Sequence, residues 1–139
     1  MSSLDFALRR RPPLVLVVDD DPDILEAVCD ILEGEGYRVA RARNGREALV
    51  RVDEERPLLI LLDLMMPVMD GLAFAQALHR RDGDHEIPIV VISADGDPQK
   101  AAALGARGFL AKPFDIDALL AEVASLAPAP ACGATRPDA

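Results

Sequence analysis

Three short stretches, Leu14–Val18, Leu58–Leu62 and Ile87–Ile92, are apolar without alternation. A strand with one wet face alternates every second residue, and a surface helix repeats its apolar positions every three to four. Unbroken apolar runs of this length are what strands look like when both faces of a parallel sheet are covered. Two weaker strand candidates, Tyr37–Arg41 and Gly108–Ala111, complete a set of five.

Helical patterns fill the gaps. Asp21 is placed to cap a helix with Pro22 at its first position, and Ile24, Leu25, Val28, Ile31 and Leu32 form its apolar stripe. Gly34 and Gly36 end it. A second helix is expected from Arg46 to Glu55 with Ala48, Leu49 and Val52 inward, and a third after Asp70–Gly71 with Leu72, Ala75 and Leu78. A short, alanine-rich fourth runs from Pro98 to Leu104, and a last one carries Ile116, Leu119, Leu120 and Val123. Five alternations of strand and helix joined by short connections predict an α/β domain with right-handed crossovers.

The chain of 139 residues is long enough for one domain with a real core, and half of it is apolar. Residues 14–126 carry that pattern. Residues 1–13 read as a flexible N-terminal arm, and residues 127–139 as a flexible Ala/Pro-rich tail. The formal net charge is −9; the first thirteen residues carry +2 and the last thirteen zero, which leaves −11 for residues 14–126. Nucleic-acid binding depends on Lys and Arg neutralising phosphates, so so acidic a surface argues against it, and Arg9–Arg11 reads as a solvated arm. No apolar run approaches a membrane span. Arg9–Arg11 is followed by two prolines and five apolar residues before Asp19, which is not a signal-peptide pattern, so a cytoplasmic protein is expected. Cys29 and Cys132 have no partners at disulfide or zinc spacing; Cys29 reads as a small apolar residue at the edge of a core face.

The chemistry is expected where the strands end. In a parallel sheet all C-terminal ends share one edge, and ligands bind there. Leu14–Val18 runs into Asp19, Asp20 and Asp21; Leu58–Leu62 meets Asp63; Ile87–Ile92 meets Ser93; and the last strand meets Lys112–Pro113. Carboxylates crowded together repel unless a cation sits between them. Mg²⁺ suits such a set, because it takes one or two carboxylates and fills its remaining positions with water and phosphate oxygen. The sequence offers no Ser/His/Asp arrangement and no G-x-x-x-x-G-K-[ST] loop. What remains is a carboxylate nucleophile toward phosphorus, with Ser93 and Lys112 placed to hold phosphoryl oxygens.

Four segments, V-V-D-D-D at Val17–Asp21, L-D-L-M-M-P-V-M-D-G at Leu62–Gly71, V-I-S-A at Val91–Ala94 and G-A-R-G-F-L-A-K-P-F at Gly105–Phe114, together resemble the response-regulator receiver domain over residues 14–126. The resemblance implies a three-layer, flavodoxin-like (βα)5 fold with a five-stranded parallel sheet in the order 2-1-3-4-5. It implies that Asp63 is the phosphoacceptor, that Asp20 ligates Mg²⁺ directly and Asp19 directly or through water, and that Asp63 and the Met65 backbone carbonyl complete the protein ligands. Ser93 then hydrogen-bonds the phosphoryl group, Lys112 ion-pairs with it, Phe109 is the aromatic switch, and the bond before Pro113 is cis. Met65 and Asp95, each two positions beyond a site residue, stand where the family tunes phosphoryl lifetime. The implied donor is a sensor histidine kinase or a histidine phosphotransfer protein, and the implied output is a changed surface read by a downstream protein, with the receiver a monomer or a weak phosphorylation-dependent dimer. From Ser93 to Lys112 there are nineteen steps, about one helical turn fewer than in well-known members, so the fourth helix and the output face are where this chain departs from them.

Competing readings are weaker. Asp19, Asp21, Asp23 and Asp30 fit some positions of a calcium loop, but Ile24 stands where its glycine belongs. His85 precedes Pro88 and a buried strand, which is a loop position and not that of a kinase's bundle-helix histidine; His79 reads as a helix-end residue. A metal-dependent aspartyl phosphatase would place an acidic residue two positions after its nucleophile, and Met65 is there instead, so the chain is not expected to be an enzyme. A stand-alone regulator is the expectation, with a receiver cut from a longer hybrid kinase or regulator as the alternative.

Overall fold

The computed structural model describes residues 13–64, 71–82, 87–94, 98–103 and 105–127. Its elements alternate from start to end: β1 (Leu14–Val18), α1 (Pro22–Gly34), β2 (Arg38–Ala42), α2 (Gly45–Glu54), β3 (Leu59–Asp63), α3 (Gly71–Asp82), β4 (Ile89–Ser93), α4 (Pro98–Ala103), β5 (Gly108–Ala111) and α5 (Ile116–Leu126). The five strands form one parallel sheet in the order β2-β1-β3-β4-β5.

Alternate residues of each central strand supply two separate cores, which is why the runs are apolar throughout. Val15, Val17, Leu59, Leu61, Val90 and Ile92 pack with α1 and α5 through Leu25, Val28, Leu32, Leu119 and Val123. Leu16, Val18, Ile60, Leu62 and Val91 face the other way, against Ala48 and Val52 of α2, Phe74, Ala75 and Leu78 of α3, and Ala101 of α4. Every residue of β1, β3 and β4 is buried. Burying one large aliphatic side chain is worth about 1.5–3 kcal/mol, so these strands hold the molecule together.

Local signals set the ends. Asp21 caps α1, its Oδ1 accepting from the N–H groups of Asp23 (2.9 Å) and Ile24 (3.4 Å), with Pro22 in the first turn. The helix closes with Gly36 in the left-handed region (φ 95°), so that its N–H reaches the Glu33 carbonyl and the Tyr37 N–H the Leu32 carbonyl. Asn44 caps α2 by accepting from the Glu47 N–H, which starts that helix at Gly45 and not at Arg46.

Beyond the bounds of elements, three expectations about single residues shift. Cys29 is fully buried inside a core rather than at its edge, and burial pushes its thiol up to about 12, with the neighbouring Arg41 opposing. Ile116, expected to face inward, is 55% exposed, since periodicity assigns a face but not a neighbour for every turn of it. Ala127, assigned to the tail, is buried, and its N–H donates to the Val123 carbonyl to finish α5. α4 spans six described residues, in keeping with the short fourth helix expected. Among the described residues no helix is long and apolar enough to cross a membrane.

Candidate functional site

Four strand ends meet at the C-terminal edge of the sheet. Asp19 follows β1 directly, and its N–H donates to the Ala42 carbonyl of β2 (3.1 Å), so its backbone is held as though the strand continued. Asp63 is the last residue of β3, opposite Ile92, and Ser93 is the last of β4, opposite Ala111. The Ser93 carbonyl accepts from the Lys112 N–H (2.9 Å), which ties the residue after β5 to the end of β4. The Lys112–Pro113 bond is cis.

Asp19 and Asp63 are each 3% exposed and Ser93 is fully buried, whereas Asp20 is exposed and gives the cluster its open side. One carboxylate oxygen from each of Asp19, Asp20 and Asp63 lies within 4.8 Å of the other two. The Lys112 ammonium points into this group. It donates to Asp19 Oδ2 at 2.9 Å and stands 3.6 Å from Asp63 Oδ2. The other Asp19 oxygen accepts from the Asp21 N–H (2.9 Å), so Asp19 is held at both oxygens. Burial alone lowers the Lys112 ammonium, but the hydrogen bond to Asp19 and the charges of Asp19 and Asp63 outweigh it and hold the group above the usual lysine value.

Three carboxylates against one ammonium leave the cluster anionic, in a place where two of the three are out of water. Its donors are all hard oxygens and one side is open, which fits a cation such as Mg²⁺ that keeps part of its water shell. The residues therefore fit the metal implied by the sequence.

Asp19, Asp20, Asp63 and Lys112 come together as the strand ends required, and Ser93 lies at the same edge. Met65, Asp70, His85 and Asp95 lie outside the described residues. Phe109 is half-buried in β5 beside Val91, packed on the core formed by α2, α3 and α4, and its strand lies two positions from β3, which carries Asp63. The sequence did not reveal that Lys112 sits nearer Asp19 than Asp63; side-chain reach within a shared edge leaves no periodic signal. Asp21 belongs to the site indirectly, through its N–H on Asp19 and its cap on α1.

Comparison with known proteins agrees with this geometry. Residues 15–124 match the family model of the response regulator receiver domain. The transcriptional regulatory protein PrrA of Mycobacterium tuberculosis is 42% identical over 117 residues, covering 82% of this chain and 49% of PrrA. The DNA-binding dual master transcriptional regulator RpaA of Synechocystis is 38% identical over 117 residues, covering 82% of this chain and 48% of its own length. Among solved structures, the chemotaxis protein CheY4 of Vibrio cholerae superposes with a TM-score of 0.77 at 35% identity, covering 83% of this chain and 98% of CheY4. The signal receiver domain of a signal transduction histidine kinase from Syntrophus aciditrophicus gives 0.74 at 33% identity, over 89% of this chain and 93% of that domain. The chain thus spans about half the length of the curated relatives it matches and nearly all of the receiver structures.

Proposed function

This chain belongs to the response regulator receiver family, and on that premise we propose that it is a cytoplasmic phosphoacceptor that takes a phosphoryl group on Asp63 from a histidine kinase or a histidine phosphotransfer protein. The observation that carries the reading is Asp63 itself. It is a buried carboxylate at the end of a central strand, grouped with Asp19 and Asp20 and within ion-pair reach of Lys112. Asp19, Asp20 and Asp63 would hold Mg²⁺, with the Met65 carbonyl as a further ligand. When bound, the cation would offset the carboxylate repulsion and polarise the phosphoryl group.

An Asp63 oxygen attacks phosphorus in line with the donor. The Asp63 O–P bond forms as the donor's bond to phosphorus breaks, and the leaving acetate oxygen or imidazole nitrogen departs with the electron pair. A carboxylate nucleophile has no proton to lose, so the site needs no general base. Lys112, charged and close to Asp63, pairs with the new phosphoryl oxygens, and the Ser93 hydroxyl donates to them. Ser93 ends β4 beside β5, so a shift of Ser93 is transmitted to Phe109 and to the surface of α4, β5 and α5, which a downstream protein reads.

The reading is of a binding switch and not an enzyme: one phosphoryl group per chain, with no steady turnover of external esters. Acetyl phosphate in excess with Mg²⁺ should give a stoichiometric adduct, and a chromogenic phosphate ester should be left intact. Continuous ester hydrolysis dependent on Asp63 would favour an aspartyl phosphatase instead. One form of this reading is a stand-alone regulator. The half-length coverage of PrrA and RpaA supports a second form, in which this receiver is one part of a longer regulator.

A further inference from the structure

The arginines of β2, α2 and the turn between them fall into two groups. Arg38 pairs with Glu55, Arg41 with Glu26 and Glu33, and Arg51 with Glu54. Arg43 and Arg46 are exposed, and among the described residues neither guanidinium has a carboxylate partner. The acid beside them, Glu47, is turned to the Arg43 backbone N–H (2.8 Å). Arg46 also stands in the first turn of α2, the positive end of the helix dipole, where a cation is unfavourable and an acid is the usual choice. Two cations without a carboxylate partner, one of them at a helix position that costs stability, in a domain of net charge −11, call for a reason other than the fold.

Their place supplies one. Val18 of β1 is level with both Ala42 of β2 and Leu62 of β3, so Arg43 and Asp63 are the next residues on the same sheet edge, two strands apart. At about 4.8 Å per strand their backbones are about 10 Å apart, roughly one Debye length at 0.1 M salt. A phosphodonor approaches this edge carrying about two negative charges, toward a cluster of three carboxylates. We infer that Arg43 and Arg46 form a cationic rim that draws the anionic phosphodonor onto Asp63 and offsets the repulsion of the carboxylates. The inference rests on the phosphoacceptor reading and adds to it the residues that favour a dianionic donor. The rim acts at long range, through encounter with the donor, and leaves the cation site and the bond-making step to Asp19, Asp20, Asp63 and Lys112.

The test is the initial rate of the phosphoryl adduct formed with acetyl phosphate and Mg²⁺, at low salt and at 0.3 M added salt, for the wild type and for Arg43→Gln/Arg46→Gln. Arg107→Glu makes the same change of two charges at the opposite edge, where its N–H binds the Ile89 carbonyl at the start of β4. With the Arg43–Asp63 backbone spacing of about 10 Å taken for both charges, two charges acting on a dianion correspond to a loss of about three- to tenfold in the double variant at low salt, converging on the wild type at high salt. Arg107→Glu should stay within about twofold, and the melting temperature of Arg46→Gln should be unchanged or slightly raised. A structural role would instead lower the melting temperature and the rate together, and that result overturns the inference. Equal rates in wild type and double variant, or equal losses in the double variant and Arg107→Glu, overturn it while leaving the phosphoacceptor reading in place. A wild type that takes no Mg²⁺-dependent adduct overturns both.

Discussion

Lys112 and Arg41 each hold two carboxylates, but in different solvents. Lys112 is 15% exposed and its partners Asp19 and Asp63 are 4% exposed at their side chains. Arg41 is 35% exposed, with Glu26 and Glu33 at 57% and 47%. Taking charges out of water costs several kcal/mol per ion, so the inner cluster is an expensive way to hold three strand ends together, and apolar side chains would do it better. The outer pairs lose little water and gain little. They lie along β2, an edge strand of the sheet, where charge discourages pairing with another chain, and Arg51 Nε covers the Arg41 carbonyl (3.0 Å). On the proposed reading, charge at the sheet's C-terminal edge serves chemistry, whereas charge along β2 is of the kind that discourages pairing at an open edge.

The largest effect that would break this contrast is at Lys112. Lys112→Ala leaves two buried carboxylates without their cation, and should cost about 3 kcal/mol by urea unfolding in chelator, the lower end for breaking a buried pair because Asp20 keeps one side open to water. A loss under about 0.5 kcal/mol would make the inner pair no different from a surface one. Next comes the cation. Mg²⁺ at ten times its Kd should stabilise the wild type by about 1.4 kcal/mol, read as a rise in melting temperature, and Asp20→Ala should remove that rise. A full shift in the variant would show that the three carboxylates are not the site. On the outer side a neutral hydrogen bond should outrank the ion pairs around it: Asn44→Ala loses the cap on Glu47 and should cost about 1 kcal/mol. Smallest, Arg41→Ala should cost at most about 0.5 kcal/mol, an effect erased in 1 M salt, since both glutamates remain in water.

The architecture was legible because burial on two faces leaves unbroken apolar runs; β1 falls where its run does, and β5, only partly buried, falls on the weaker candidate Gly108–Ala111. β2 is shifted by one residue, to Arg38–Ala42, and β3 and β4 are shifted for one physical reason. An apolar run reports burial, while a strand is defined by its ladder. Leu58 belongs to the run but is 47% exposed and lies before β3, and Asp63 and Ser93 are polar yet are the last paired residues of β3 and β4. Pro88 likewise offers only a carbonyl, to the Ile60 N–H, and β4 begins after it. The residues of the site could be listed from the strand ends; their mutual distances could not. Lys112 leaning on Asp19, and Phe109 lying against the α2–α4 core, depend on side-chain packing that sequence spacing does not carry.

The central claim, that Asp63 takes the phosphoryl group, is tested most directly by the intact mass of the protein after incubation with acetyl phosphate. The account predicts one phosphoryl adduct on the wild type, requiring Mg²⁺, and none on Asp63→Asn under the same conditions. An adduct of equal yield on Asp63→Asn, or one formed equally well in chelator, would contradict it and move the chemistry to another residue.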